Sequence, residues 1–286
     1  MDDSKRAVGL LDSGVGGLTV AREIFNLLPE EDIIYFGDTL HLPYGPKDLS
    51  LVKEYTETII NYLRDEKDVK SVVIACNTAT SAALDYVKQK FDFPIFGMIE
   101  SAAEKAVRVS KKKRIAVIGT EGTVNSRAYQ EAIMNKDPES MVFSQPCPGF
   151  VDLVEEGKFD GEEVEKTAYK YLSPLISSDV DVLILGCTHF PYLMPVLARV
   201  MGPEVDLVNP AKEMALEVKK ELGRQGLKKE KLSHLKELKG EHKFIVSDKS
   251  RISRSFLEHG RRFLQLEKLE FEEDNIFAAV KNKGGN

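Results

Sequence analysis

Two cysteines occupy matched places in two similar segments. In residues 72–84, VVIACNTATSAAL, four small or β-branched residues read as a buried strand, and Cys76 follows them. Ala82, Ala83 and Leu84 then continue a helix that Thr78 or Thr80 would cap. Residues 182–193, VLILGCTHFPYL, repeat the pattern, with Cys187, Thr188 and His189 after the apolar run. A further strand precedes each copy at a similar distance, ending at Asp12 in AVGLLDSGVGG and at Gly119 in RIAVIGTEGT. One such thiol is readily explained as a small hydrophobe that buries well. Two at matched positions of a repeated layout point to chemistry.

The reactive form of cysteine is the thiolate, which a helix N-terminus or a nearby cation favours. His189, two residues beyond Cys187, is placed to act as its base or orienter, and Asp12 can do the same near Cys76. A single Cys–His pair would indicate a covalent hydrolase or transferase. Two thiols on opposed walls indicate instead that one removes a proton from a stereocentre while the other returns one to the opposite face. That reaction is a racemisation. Asn77, Thr78 and Thr188 would bind the substrate carboxylate and stabilise the carbanion-like transition state. The glycine-rich DSGVGGLTV joins a strand to a helix, so its backbone N–H groups can hold an anion while Asp12 accepts an ammonium group, a combination that fits a zwitterionic amino acid. Taken alone, this loop is equally a tight turn that needs glycine. The turn-rich LPYGPK offers Tyr44 and Gly45 to a carboxylate, and by itself is only a turn.

The elements that must position these groups alternate along the chain. VGLLD, DIIYFGD, VVIAC and PIFGM read as strands, separated by helices in LTVAREIFNLL, LSLVKEYTETIINYLRDE and SAALDYVKQKF. A second series contains strands RIAVIGT, MVFSQP and DVLILGC and helices NSRAYQEAIMN and GEEVEKTAYKYLSPLI. Such alternation implies right-handed βαβ units in mainly parallel sheets, with ligands bound outside the carboxyl ends of the strands. The expected fold is α/β, with two pseudo-symmetric α/β domains and the active site in the cleft between them. Residues 1–98 plus 208–286 form the first domain and 99–207 the second; the tail, with the strand HKFIVSD and the helix SRISRSFLEHGRRFL, is assigned to the first because the second set of strands is already complete. KLSHLKELKGEHK reads as a solvated face and NKGGN as a frayed end.

Composition narrows the function classes. A chain of 286 residues, 42% hydrophobic and 30% charged, can bury a sizeable core. Its net charge of −6 leaves no basic field for nucleic acid. The charged start MDDSKR is not followed by a long apolar run, so no signal peptide or membrane span is expected, and a cytoplasmic location follows. The three cysteines form no CxxC pair and the five histidines no HxxxH pattern, so neither a metal site nor a disulfide framework is expected. Cys147, between two prolines in QPCPGF, reads as an incidental loop residue.

At these residues the sequence resembles the glutamate racemases of the cofactor-independent aspartate/glutamate racemase superfamily. The matching motifs are DSGVGGLTV, PYG, ACNTAT, IGTEGT and LGCTHFPYL, in the family's order and over nearly the whole chain. The related aspartate racemases carry a GGMG-type first loop where this chain has Asp12-Ser13-Gly14. The resemblance implies that Cys76 acts on D-glutamate and Cys187 on L-glutamate, assisted by Asp12 and His189 respectively. It implies substrate contacts from Asp12, Ser13, Tyr44, Gly45, Asn77, Thr78, Thr120, Thr123, Thr188 and His189. Glu155, in VDLVEEG with Glu156 beside it, matches a family acid near the ammonium group. No cofactor is implied, the partner is a small molecule, and the product D-glutamate would supply peptidoglycan and so cell-wall biogenesis and cell shape. A homodimer is left open. Three rivals come from other classes. A two-thiol oxidoreductase needs sulfurs within disulfide reach. An amino-acid binding protein needs no thiols, and a lyase or decarboxylase on this fold needs only one.

Overall fold

The computed structural model describes residues 2–230 and 240–281; the expectations for residues 231–239 of KLSHLKELKGEHK and for NKGGN fall outside the described residues. The first series runs β1 (Val8–Asp12), α1 (Leu18–Leu27), β2 (Ile33–Gly37), α2 (Leu49–Asp65), β3 (Ser71–Ile74), α3 (Asn77–Lys90), β4 (Ile95–Phe96) and α4 (Ile99–Val109). The second runs β5 (Arg114–Gly119), α5 (Glu121–Asn125), α6 (Ala128–Lys136), β6 (Met141–Pro146), α7 (Pro148–Glu155), α8 (Glu162–Ser177), β7 (Val182–Gly186), α9 (Met194–Met201) and β8 (Asp206–Val208). The chain closes with α10 (Pro210–Arg224), β9 (His242–Val246), α11 (Arg254–Leu264), β10 (Glu272–Glu273) and α12 (Ile276–Lys281).

All described strand pairs are parallel, in one sheet ordered β10-β9-β2-β1-β3-β4 and another ordered β6-β5-β7-β8. The fold is therefore α/β with two parallel sheets, and β9 and β10 of the tail lie in the sheet that holds β1. The central strands are apolar on both faces because helices cover both: every residue of β1, β3 and β7 is buried. The edge strand β6 is mostly half-exposed.

The chain leaves β1 toward one side of its sheet and β3 toward the other, so a crevice opens between their carboxyl ends; β5 and β7 do the same in the second sheet. Register sets Leu11 beside Ile74, so that Asp12 and Cys76 leave the sheet close together, and Gly119 beside Gly186, one residue before Cys187. One core, with Leu10, Val73, Leu185 and Phe190, joins the two sheets.

Several local expectations are corrected. The helix expected over 125–135 begins later, as α6 at Ala128, and is separated from the short α5 by Arg127, whose φ of 59° lies in the left-handed region. Nothing in NSRAY announces that break. Strand β4 is shorter than PIFGM. Cys147 is, as expected, outside the regular elements, the single residue linking β6 to α7, but it is fully buried there, its Sγ 3.5 Å from the Gln145 carbonyl oxygen.

At the opposite, amino-terminal end of the first sheet, Lys70 is buried against Glu31 with Nζ–Oε2 at 2.5 Å, and also donates to the Ser4 carbonyl at 2.7 Å. The other Glu31 oxygen accepts from the Lys229 amide at 2.8 Å. Removing one partner would strand a buried charge. Glu31→Ala is expected to cost about 3–5 kcal/mol in urea unfolding; a loss below about 1 kcal/mol would contradict the pairing.

Candidate active site

A small cavity lies where the carboxyl ends of the two sheets face each other. It is lined by Ser13, Pro43, Tyr44, Gly45, Cys76, Asn77, Thr78, Thr120, Thr123, Val151, Gly186, Cys187, Thr188 and His189. Its volume of about 30 Å³ would hold one or two water molecules. Both cysteines singled out by the repeated pattern therefore open onto the same space, and so do nine of the other residues implicated by sequence.

On one wall, Cys76 itself caps α3; the expectation that Thr78 or Thr80 does so is corrected. Its Sγ accepts from the Ala79 amide at 3.5 Å, so the sulfur sits on a helix N-terminus. Thr80 turns back instead, its hydroxyl donating to the Ile74 carbonyl at 3.0 Å. Burial pushes the Cys76 thiol up to about 12, helped by the neighbouring Asp12 charge, while the Ala79 amide and the Ser13 hydroxyl oppose the rise. Cys76 is accordingly a thiol near neutral pH.

Asp12 stands behind this wall, completely buried. Its Oδ2 accepts from the Gly14 and Gly17 amides at 3.2 and 3.0 Å. The anion held by the glycine-rich turn is thus Asp12's own carboxylate, which corrects the expectation that those amides hold a ligand. Burial raises the Asp12 carboxyl, opposed by the charge of His189 and the Gly17 and Gly14 amides. The remaining oxygen, Oδ1, is buried without a hydrogen-bond partner.

On the opposite wall the sulfur of Cys187 lies 3.6 Å from His189 Nδ1, and His189 Nε2 lies 2.7 Å from Glu155 Oε1. Burial opposes a charged imidazole, yet the hydrogen bonds to Cys187 and Glu155 outweigh it and hold His189 well above the ordinary histidine range. Glu155, rather than Glu156, is therefore the acid that reaches the site. It does so through His189 and is not itself among the residues that line the cavity. Glu156 instead pairs with Lys158 at 2.8 Å.

Donors from both sheets meet above the sulfurs. The Thr78 hydroxyl is 2.9 Å from that of Thr120 and 3.1 Å from that of Thr123. Asn77 Oδ1 accepts from the Tyr129 hydroxyl at 2.7 Å, leaving Nδ2 buried and without a hydrogen-bond partner. The Gly45 carbonyl accepts from the Gly122 amide at 2.8 Å. Tyr44 lines the cavity, but its hydroxyl donates to Asp38 Oδ2 at 2.7 Å, so it is not the free carboxylate donor expected from PYG. Sequence reasoning missed Tyr129, Thr19 and Val151. Thr19 lies inside the quoted DSGVGGLTV, where it donates to the Thr188 carbonyl at 2.9 Å, whereas no local pattern marks Tyr129.

The sequence pattern of the Asp/Glu/Hydantoin racemase family matches residues 16–217. A glutamate racemase of Exiguobacterium sibiricum is 47% identical over 222 residues, covering 78% of this chain and 82% of that protein. One of Geobacter metallireducens is 45% identical over 259 residues, covering 91% and 93%. The solved structure of glutamate racemase from Francisella tularensis in complex with D-glutamate superimposes with a TM-score of 0.85 at 33% identity, covering 96% of this chain and 99% of that one.

The electrostatics of the first wall predict how Cys76 reacts. With its thiol held near about 12, the thiolate fraction, and with it the rate of iodoacetamide labelling, should rise about tenfold per pH unit from pH 7 to 10 without a plateau. Peptide mapping by mass spectrometry reads this site by site. A plateau near pH 8.5 would mean that burial and the neighbouring Asp12 charge do not raise the Cys76 thiol.

Proposed function

The chain belongs to the Asp/Glu/Hydantoin racemase family, and on that premise we propose that it interconverts L- and D-glutamate by two-base proton transfer at Cα. One observation carries this reading: Cys76 and Cys187, from different sheets, line one cavity. Similarity to glutamate racemases, including one solved with D-glutamate, supports the substrate.

In the direction from L-glutamate, the Cys187 sulfur takes the Cα proton. His189, charged and fixed by Glu155, orients and electrostatically supports that sulfur. Cys76, already protonated, gives its proton to the opposite face of Cα. The electron pair left by the C–H bond delocalises into the α-carboxylate, whose growing charge is met by hydroxyl and amide donors of Asn77, Thr78 and Thr188. The Cα–H bond then re-forms to the proton from Cys76, leaving Cys76 as thiolate and Cys187 as thiol. The reverse reaction begins in that state. Asp12, behind Cys76 with one unpartnered oxygen, stabilises the substrate ammonium, and the incoming positive charge in turn offsets the Asp12 charge that disfavours the Cys76 thiolate. Ser13, Tyr44, Gly45, Thr120 and Thr123 complete the walls around the side chain.

The described cavity is too small for an amino acid, so entry requires the two sheets to part and exchange the Thr78–Thr120 contact for contacts with substrate. The thiols supply both acid and base, and the proposed enzyme uses no metal or cofactor. We place it in the cytoplasm, where free thiols stay reduced and D-glutamate would enter peptidoglycan synthesis. Among the described residues no helix is long and apolar enough to cross a membrane.

Three measurements test the reading. Cys76→Ala and Cys187→Ala should each abolish racemisation of glutamate, whereas Cys147→Ser should retain it; substantial turnover by either alanine variant would overturn the two-base assignment. In D₂O, D-glutamate formed from L-glutamate should carry deuterium at Cα from the first turnovers while the remaining L-glutamate stays protiated. Early product retaining the substrate hydrogen would mean a single mobile base. Turnover should also survive EDTA, and its loss would sink the cofactor-free reading.

A further inference from the structure

One buried acid near the cleft has no part in the mechanism above. Asp38 follows β2 and is completely buried. Its Oδ1 accepts from the Ser247 hydroxyl at 2.8 Å and its Oδ2 from the Tyr44 hydroxyl at 2.7 Å, while His41 Nδ1 lies 2.9 Å from Oδ2. Three separate segments therefore converge on one carboxyl group: the end of β2, the loop that carries Tyr44 and Gly45, and the residue just after β9. A second pair of bonds repeats the connection, with the Thr39 hydroxyl donating to the Asp248 carbonyl at 2.6 Å and the Leu40 amide to Ser247 Oγ at 2.8 Å.

The far side of the loop is held by the tail. The His41 ring stacks on Tyr55 of α2, with centroids 4.0 Å apart, and meets the edge of Phe277 of α12 at 4.5 Å. The Tyr62 hydroxyl of α2 donates to Asp274 Oδ2 at 2.5 Å and the Asp274 amide to the Val246 carbonyl at 2.9 Å, fixing the entry to α12. A loop built on glycine and proline has few packing contacts of its own, and a shared buried acceptor is what gives it one position. That position matters because Gly45 abuts Thr120 of the opposite wall and Tyr44 lines the cavity.

We propose that Asp38 is a positioning residue: clamped by Ser247, His41 and Tyr44, and backed by Phe277, it sets the Pro43–Gly45 wall of the cleft and so governs how tightly substrate is held. The proposal rests on the glutamate racemase reading for its kinetic consequence, but not for its structural one. Asp38 touches no reacting atom, so its removal loosens substrate binding more than it slows proton transfer.

The test uses the full chain. Asp38→Ala should raise KM for glutamate about tenfold or more while kcat changes less than about threefold. Asp38→Asn keeps an acceptor for the Tyr44 hydroxyl and should recover most of the lost affinity. Phe277→Ala should shift KM in the same direction by a smaller factor. Hydrogen exchange read by mass spectrometry supplies a measure independent of activity: in Asp38→Ala, peptides spanning residues 39–47 should exchange about tenfold faster or more, with those from β1 and β3 unchanged. An unchanged exchange rate over 39–47 would overturn the clamp. So would exchange that quickens throughout the first sheet together with a fall in kcat, since that marks general destabilisation. If wild-type protein failed to turn over glutamate, the functional reading would fall, and the exchange experiment would still decide the clamp.

Discussion

Everything at the cleft depends on how closely the backbone of one sheet's loops approaches the side chains of the other's. A Cβ on Gly16 would come within 2.6 Å of both the Thr188 hydroxyl and His189 Cε1, and one on Gly45 within 2.7 Å of Thr120 Cβ. Neither distance admits a side chain, so the two walls close only because glycine stands at these contacts. Hydrogen bonds then tie the walls together: Thr19 to the Thr188 carbonyl, Tyr129 to Asn77, Gly122 to the Gly45 carbonyl, and the three threonine hydroxyls around Thr78. These contacts place two thiols from distant parts of the chain in one water-poor space, where hydrogen bonds and charges act with less screening than in bulk water. The bonds that tie the walls together are hydroxyl and amide bonds rather than ion pairs.

Pseudo-symmetry of backbone does not extend to charge. Cys76 and Cys187 leave equivalent strands of the two sheets, yet their surroundings differ in sign. Behind Cys76 stands the buried carboxyl of Asp12; beside Cys187 stands His189, held protonated by its partners. The same kind of side chain is therefore set beside a carboxyl on one wall and beside an imidazole on the other. In this molecule the difference comes from one residue in each loop, Asp12 at the end of β1 and His189 two residues beyond Cys187. Glu155 reinforces it from the exposed side, through Nε2 of the same imidazole.

Parallel βαβ architecture and the two thiol-bearing strand ends were legible in the sequence because both are local signals. Continuous apolar runs of four or five residues mark strands buried on both faces, and a Cys-Asn-Thr or Cys-Thr-His step directly after such a run puts the side chains at the strand's carboxyl end whatever the rest of the chain does. The motif residues Ser13, Gly45, Asn77, Thr78, Thr188 and His189 line the cavity for that reason. Local rules also misjudged what several groups compete for. Sequence offers threonines as helix caps, but a sulfur one step earlier takes the Ala79 amide; it offers free amides in a glycine-rich turn, but Asp12 turns back on them.

What the sequence by itself determined is therefore the kind of chemistry: two cysteines, each at the end of a core strand, with an aspartate near one and a histidine near the other. Tertiary structure alone decided which hydrogen bonds those groups are free to make. The Tyr44 hydroxyl is committed to Asp38, Glu155 reaches the site through His189, and Tyr129 holds Asn77 from the other sheet. Two of these pairings join separate elements across more than thirty positions of chain, and the third fixes a side chain within its own loop. Strand and helix periodicity records which way a side chain leaves its own backbone, and carries no information about the partner that packing brings to it.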